Sequence, residues 1–229
     1  MNTFSVKECI AFGWRTFRLR PWLFVQAGVV VALANFLFGL PGDVLDSAAE
    51  AATGVQAIQL LVFAIIFGLI SMVVYVYLEM GTTHFMLKAH DSVEQTNLKD
   101  LIYLKGFWRY LGTSVVSFLA VIVGLILLIV PGIIIGLALS FTLFLVIDKG
   151  LGPINAFKQS WKLTKGNRWK LFLLSLAFLG INILGMLALL VGLLVTVPVT
   201  FLALIHAYRV LSVETAPVSE AVSPEALPA

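Results

Sequence analysis

Ionisable side chains stand at the ends of several long apolar segments of this sequence. Glu79 follows two tyrosines, Asp148 closes an apolar run, and His206 and Arg209 lie inside another. A charge inside a membrane is costly, so such residues often mark the path of an ion or a substrate. Close to the interface, they can instead reach the headgroups or form structural ion pairs. We expect structural pairing, with Asp148 contacting the basic segment that follows it, and keep Glu79 and Asp148 as candidate functional residues.

Two asparagines, Asn35 and Asn182, interrupt apolar segments at depths that correspond in an internal repeat described below. An amide in hydrocarbon needs a hydrogen-bond partner, and a bond between helices contributes about 0.6–2 kcal/mol. We therefore expect these two polar intramembrane residues to join helices. A contact with a substrate is the alternative.

The sequence contains no arrangement typical of catalysis or of a metal site. His84, His90 and His206 are scattered, and the first two stand on different faces of a helix. Paired intramembrane carboxylates and phosphate-binding glycine loops are absent. The single cysteine, Cys9, excludes an intramolecular disulfide and is interpreted as a small apolar residue. We therefore predict that the protein is not an enzyme and uses no cofactor and no metal.

The composition indicates that lipid surrounds most of the chain. Hydrophobic residues make up 60% and charged residues 12% of the 229 residues, whereas about a quarter of a soluble domain is charged. One crossing of the bilayer core needs roughly 20 apolar residues. Six segments fit, although the fourth and sixth are short: 22–40, 58–78, 110–130, 133–147, 171–195 and 199–211. The predicted fold class is an all-α integral membrane protein with about six transmembrane helices.

The basic residues all lie on one side of the predicted spans. The 15 Lys and Arg residues lie before the first span, between the second and third, between the fourth and fifth, and at the end of the sixth. The first loop on the opposite side carries acids alone: Asp43, Asp46 and Glu50. Because Lys and Arg favour the cytoplasmic side, this pattern predicts a multi-pass protein with both termini in the cytoplasm.

A threefold internal repeat divides residues 1–213, which we predict to form a single membrane domain. A shift of 147 residues matches four tryptophans in two pairs, Trp14 with Trp161 and Trp22 with Trp169. Each predicted unit combines an interfacial helix with a transmembrane hairpin, and the units cover about 5–90, 96–149 and 152–213. A proline marks each outer turn: Pro41, Pro131 and Pro198. Residues 214–229 are rich in Ala, Pro, Ser and Glu, which predicts a disordered cytoplasmic tail.

Amphipathic segments precede the first and third hairpins. In both, apolar residues recur at helical spacing on one face and basic residues on the other, and Ser5 and Glu8 predict a capping box. Such helices lie in the headgroup plane, where each basic residue near an anionic leaflet contributes about 1 kcal/mol. We predict headgroup contact by tryptophans and basic residues: Trp14, Trp22, Trp108, Trp161, Trp169, Arg15, Arg18, Lys158, Lys162, Lys165 and Arg168.

The expected partners follow from this placement of charge. The first expected partner is anionic lipid of the inner leaflet. The sequence is also compatible with a protein partner or with a second copy of the chain. Nucleic acid is not expected, because the sequence has no basic and aromatic groove that could hold bases.

Several short motifs in the second half of the chain are similar to those of a known group of membrane proteins. They are Pro131-Gly132-Ile133, Asp148-Lys149-Gly150, Ala156, Ser160-Trp161 and Lys165-Gly166. The sequence resembles uncharacterised bacterial six-span membrane proteins, including the membrane domain attached to some glycerophosphoryl diester phosphodiesterases. The resemblance implies a bacterial inner-membrane location. It supplies no catalytic residues, since the catalytic domain of those fusions is absent from this chain.

Two classes of function fit these observations. The first is a non-enzymatic membrane scaffold or accessory protein that contacts anionic lipid through its basic residues. The alternative is a transporter, a channel or a lipid-translocating protein, for which Asn35, Asn182, Glu79 and Asp148 would be the residues to test.

Overall fold

Helices form almost all of the regular structure. The computed structural model describes residues 4–51, 53–188 and 191–213, with the backbone alone of 39–51 and 127. Within that part of the chain the α-helices are α1 (Val6–Leu19), α2 (Pro21–Ala51), α3 (Val55–Asp91), α4 (Phe107–Leu127), α5 (Ile129–Leu139), α6 (Thr142–Lys149), α7 (Pro153–Thr164), α8 (Arg168–Leu187) and α9 (Leu193–Val213). Two short 3₁₀ turns, Val93–Gln95 and Leu98–Leu101, lie between α3 and α4. The predicted tail, 214–229, lies outside the described residues.

Six helical segments of the described chain are long and apolar enough to cross a membrane. They are Pro21–Phe38, Val55–Asp91, Phe107–Ile126, Ile129–Lys149, Arg168–Leu187 and Leu193–Ser212. The prediction of an all-α membrane protein with six spans is therefore confirmed. The fourth segment consists of α5 and α6 with a break at Ser140 and Phe141, and it is longer than the sequence suggested.

The packed core lies at one end of the bundle. The first turns of α2, α4 and α8 meet the last turns of α3, α6 and α9 there, together with α1 and α7. We call this the basic end, because the Lys and Arg residues lie there. Its largest fully buried side chains come from α2, α3, α4 and α9 and from the break between α5 and α6: Tyr110, Tyr208, Phe24, Phe85, Phe141 and Met80. Toward the other end, apolar side chains such as Ile58, Phe63 and Leu69 of α3 are exposed, as expected where lipid is the solvent.

The outer reversals lie several residues away from the prolines that were expected to mark them. Between α4 and α5 the chain turns at Leu128, whose backbone is extended, and Pro131 falls inside the first turn of α5. Proline is tolerated there because the first turn of a helix leaves its N–H groups unpaired. Pro198 lies within α9, and Pro41 lies within α2, so the predicted turns at these positions are wrong.

Helix α1 packs closely against α9 through small residues. A side chain at Gly13 would overlap the carbonyl oxygen of Val199, so the two helix backbones are in contact. The buried residues of α1 are Cys9, Gly13, Thr16 and Phe17. The sequence predicts an apolar face of Val6, Ile10, Trp14 and Phe17, and of these Trp14 is exposed. Ser5 precedes α1 but makes no side-chain cap, so the predicted capping box with Glu8 is wrong.

Helix α7 rests on α5 and α6 at the basic end. Its hydroxyl-bearing residue Ser160 is buried and donates a hydrogen bond of 2.7 Å to the carbonyl oxygen of Ala138. Pro153 occupies the first turn of α7, and Gly166, with φ 88°, reverses the chain before α8. This arrangement leaves the lysines of α7 exposed.

Candidate functional site

A network of charged groups joins three helices at the basic end. Arg209 of α9 places Nη1 2.9 Å from both carboxylate oxygens of Asp148, and its Nη2 donates a bond of 2.6 Å to Asp91. The hydroxyl of Tyr208 donates a further bond of 2.7 Å to Asp148. The side chain of Asp148 is 17% exposed and that of Arg209 is 26% exposed. The network therefore ties α3 and α6 to α9 in a partly buried setting, where such bonds contribute most.

The partner of Asp148 differs from the one expected. The sequence suggested a contact with the basic segment after α6, which would have tied the fourth span to α7. The structure instead pairs it with Tyr208 and Arg209, because α9 returns to the basic end beside α6. Asp148 and Arg209 therefore form an ion pair, whereas the role of Asp148 as a candidate functional residue stays a prediction.

Two histidines extend the network toward α1. Nδ1 of His90 lies 3.0 Å from Asp91, and its Nε2 lies 3.2 Å from Nδ1 of His206. When the carboxylate accepts a hydrogen bond from Nδ1–H, neutral His90 presents a lone pair at Nε2, and Nδ1–H of His206 can donate to it. The ring of Phe12 stacks on His206 with 4.2 Å between centroids and tilts over His90. The sequence gives no sign of this pair, whose members come from different spans.

The segment between α3 and α4 is held at the same end by two basic residues. Arg20 donates from Nη1 to the carbonyl oxygens of Val93, Glu94 and Thr96 at 3.0–3.2 Å. Lys88 forms a salt bridge of 2.7 Å with Asp100, which also accepts the backbone N–H of Asn97. Burial alone would raise the pKa of Asp100, but the bonds from Lys88 and Asn97 outweigh it and hold this pKa below its ordinary value.

The remaining polar candidates take part in separate contacts. Asn35 is exposed and donates to the carbonyl oxygen of Val31 in its own helix, so it does not join helices through that bond. The amide oxygen of Asn182 is buried and has no hydrogen-bond partner in the described part of the chain. Glu79 of α3 lies near Tyr110 of α4, whose hydroxyl is 3.5 Å from the hydroxyl of Thr83. The four residues proposed for a pathway therefore do not form one hydrogen-bonded group.

The tryptophans are all exposed. Trp22, Trp108 and Trp169 begin α2, α4 and α8 and are 76%, 80% and 71% exposed, and Trp14 and Trp161 are also exposed. The predicted basic contacts lie beside them: Arg15, Arg18, Lys158, Lys162 and Lys165 are exposed, and Arg168 is half-buried. Exposed tryptophans at helix ends are typical of a membrane interface.

The corner between α7 and α8 combines charge with an apolar groove. The guanidinium carbon of Arg168 lies 4.2 Å from the centroid of the Trp161 ring, a cation–π contact. Arg168 and Trp169 line a groove of about 330 Å³ together with apolar side chains of α5 and α8: Val130, Ile133, Ile134, Leu137 and Phe172. The lining of the groove is therefore mainly apolar, with the cation of Arg168 beside it.

A larger cavity opens beside α4. It has a volume of about 760 Å³ and is lined by residues 103–109 and by the end of α6, including Lys105, Trp108 and Asp148. Arg109 also lines it and donates a bond of 3.1 Å to the carbonyl oxygen of Gly150. Among the described residues, no group of three or more His, Cys, Asp or Glu side chains could hold a metal ion.

Comparison with known proteins finds one family that is similar to the second half of the chain. Residues 110–214 are similar to the family described as "Protein of unknown function (DUF975)". The matched region begins inside α4 and includes α9, so it contains Asp148, Tyr208 and Arg209. No curated protein and no solved structure matches the chain. The similarity to an uncharacterised family agrees with the sequence analysis, whereas the resemblance to a phosphodiesterase membrane domain stays a prediction.

Proposed function

We propose that this multi-pass membrane protein is a non-enzymatic scaffold or accessory protein that binds anionic lipid at its basic end. In this proposal the membrane is the bacterial inner membrane, and the basic end faces the cytoplasm with both termini. The distribution of Lys and Arg supports that orientation, since basic residues are retained on the cytoplasmic side.

The α7–α8 corner carries the proposal. Lys158, Lys162 and Lys165 are exposed on one side of it, and Arg168 stacks on Trp161 beside the 330 Å³ groove. An anionic phospholipid would place its phosphate near these cations and an acyl chain in the groove. Each basic residue near an anionic surface contributes about 1 kcal/mol. The corner therefore favours an anionic over a zwitterionic lipid.

A charge reversal at the corner tests lipid binding. The variant Lys158→Glu, Lys162→Glu, Lys165→Glu is compared with wild type by native mass spectrometry after gentle extraction from vesicles of phosphatidylglycerol and phosphatidylcholine. We expect the reversal to lower retained phosphatidylglycerol at least about tenfold relative to phosphatidylcholine. The matched control replaces the same three lysines by arginine and keeps the preference. Equal retention by the glutamate variant would overturn lipid binding at this corner.

Native mass spectrometry after gentle extraction from the protein's own membrane separates the scaffold from the alternative. A protein partner retained at fixed stoichiometry supports the scaffold proposal. Solute flux in liposomes above that of empty vesicles would contradict it and favour a transporter or channel. In that case alanine at Asn35, Asn182, Glu79 and Asp148 would identify the polar groups that the flux requires.

A further inference from the structure

A second cavity lies between α3 and α4, away from the basic surface. Its volume is about 420 Å³, within the range of small-molecule sites. Glu79, Ser114 and Ser117 supply its polar lining, and the walls are apolar or aromatic: Met72, Tyr75, Val76, Val115, Phe118, Leu119 and Leu143. The cavity thus combines a carboxyl group and two hydroxyls with an apolar enclosure.

Hydrogen bonds to the polar lining are incomplete. The carboxyl group of Glu79 lines the cavity near the Tyr110 hydroxyl and has acceptor positions for a guest. The Oγ atoms of Ser114 and Ser117 are buried and have no hydrogen-bond partner in the described chain. By contrast, the hydroxyl of the neighbouring Thr113 donates a hydrogen bond of 2.6 Å to the carbonyl oxygen of Arg109. Leaving a buried hydroxyl unpaired costs about 1–3 kcal/mol, so a guest that completes these bonds is favoured.

The position of the cavity selects a guest that arrives through the lipid. Ser114 is the eighth residue of α4, about 10 Å along the helix from its start at the basic end. Tyr75 and Phe118 at the cavity are 58% and 65% exposed, so its side opens toward the surrounding hydrocarbon. A molecule confined to water would have to cross the basic end, whereas a lipid can enter sideways.

The lining also selects the head of that guest. Glu79 accepts hydrogen bonds and disfavours a phosphate or carboxylate, while the two serines both donate and accept. We propose that this cavity binds a neutral lipid that carries a free hydroxyl group, of the diacylglycerol type. The hydroxyl donates to Glu79 and accepts from a serine, and the apolar walls enclose the adjoining glyceryl and acyl carbons.

Photolabelling of the full-length protein in nanodiscs tests this site. The probe is a diacylglycerol with a diazirine on one acyl chain, and labelled positions are read by peptide mass spectrometry. We expect saturable labelling in residues 72–79 and 114–119, competed by unlabelled diacylglycerol. A 1,2-propanediol diester with the same two acyl chains is the matched competitor, because it lacks only the hydroxyl, and we expect it to compete poorly. Uniform labelling of exposed helix faces, or equal competition by both lipids, would show surrounding lipid only and overturn the proposal.

Variants separate hydrogen bonding from packing. Ser114→Ala with Ser117→Ala should raise the diacylglycerol concentration for half-competition at least about fivefold, and Glu79→Gln is the independent second variant. The melting temperature should stay equal or rise for the serine variant, because unpaired hydroxyls are removed. Ser175→Ala in α8 is the control, since that hydroxyl already donates to Leu171. Unchanged competition in both cavity variants would overturn the proposal, independently of phosphatidylglycerol binding at the α7–α8 corner.

Discussion

Cys9 shows how a side chain on a short amphipathic helix can become part of the core. Its residue surface is fully buried, and burial together with the neighbouring Glu8 carboxylate raises the pKa of its thiol to about 11. The expectation of a small apolar residue agrees with this placement. We predict that a maleimide reagent at about pH 7.5 labels Cys9 at least about a hundredfold more slowly in the folded protein than in denaturant, because the thiolate is the reactive form.

Labelling needs a control on the same helix. Lys7 is exposed, so the variant Lys7→Cys with Cys9→Ser presents one thiol to solvent on α1 and should label rapidly without denaturant. Mass spectrometry of the intact chain counts the adducts over time. Rapid labelling of Cys9 in folded protein would contradict the close packing of α1 on α9.

Asp100 makes the stability of the fold depend on pH, and the sign of this dependence follows from the lowered pKa of its carboxyl group. Its ordinary pKa is 3.8, and the bonds from Lys88 and Asn97 lower it despite the opposing effect of burial. The carboxylate therefore stabilises the fold above about pH 4, and this contribution is lost as the pH falls through the folded-state pKa. We predict that Asp100→Asn costs about 1 kcal/mol at pH 7 and little at pH 3, since the bridge is partly exposed.

Thermal unfolding in detergent, followed by tryptophan fluorescence from pH 7 to pH 3, measures that difference. Asp43→Asn is the comparison, because this acid lies in the C-terminal part of α2, outside the segment that Lys88 and Asp100 join. A constant gap between Asp100→Asn and wild type across the whole pH range would contradict the assignment to the ionised carboxylate.

Partners of individual residues were the least predictable part of the site. The sequence favoured structural pairing for the ionisable residues at span ends and kept Asp148 as a functional candidate. It did not identify the partners, because Arg209 lies 61 residues from Asp148 and His206 lies 116 residues from His90. Which groups meet depends on the rotation of each helix about its axis and on how the helices are ordered around the bundle. Hydropathy contains neither quantity, so the two pairs and the cavity serines could not be derived.

Elements were more predictable than contacts, except at their ends. Long apolar runs identify six spans because length and hydropathy determine whether a helix can cross the bilayer. The fifth predicted span continued to residue 195, whereas α8 ends at Leu187 and α9 begins at Leu193. The sequence there is apolar throughout, so composition does not mark the turn. Close contact between Gly185 and Gly192 makes the reversal instead.

Because α1 and α9 are in close contact at Gly13, one added methyl group at this position should strongly affect stability. Alanine at Gly13 would overlap the carbonyl oxygen of Val199, so the helices must separate. We predict that Gly13→Ala destabilises the protein by about 1–3 kcal/mol and makes Cys9 reactive. Elsewhere in a helix the same change usually stabilises by roughly 0.5–1 kcal/mol.

Gly180 of α8 provides the matched control. A side chain there meets nothing within 4 Å, so Gly180→Ala should leave the melting temperature unchanged or raise it. Melting in detergent and maleimide labelling report on both variants. If Gly13→Ala is as stable as Gly180→Ala, then α1 does not rest directly on the backbone of α9.

At the scale of the whole molecule, the two ends of the bundle are built differently. Buried side chains and the charged network gather at the basic end, while the first half of α3 exposes apolar residues along its length. Lipid solvates apolar helices without requiring them to pack. The basic end lies near water and headgroups, where hydrophobic burial and ion pairs can both hold helices together. Cohesion of the fold is therefore concentrated at the basic end.

Arg209 is the residue through which this cohesion is best tested, because it links α3, α6 and α9 at once. Arg209→Gln leaves the carboxylates of Asp148 and Asp91 without their cation, and we predict a loss of about 2–3 kcal/mol. Asp148→Asn should destabilise the protein less than Arg209→Gln, because Arg209 keeps its ion pair with Asp91. Arg18→Gln, on the exposed face of α1, is the control and should change stability by less than about 0.5 kcal/mol.

The double variant decides whether these residues act as one unit. Once Arg209 is glutamine, Asp148→Asn removes an unpaired charge, so the combined loss should be smaller than the sum of the two single losses. Melting temperatures in nanodiscs give the coupling, and hydrogen exchange should show faster opening of α6 and α9 together in Arg209→Gln. Strict additivity, or faster exchange confined to α9, would mean that the helices are held by apolar packing and that the charged network is incidental to it.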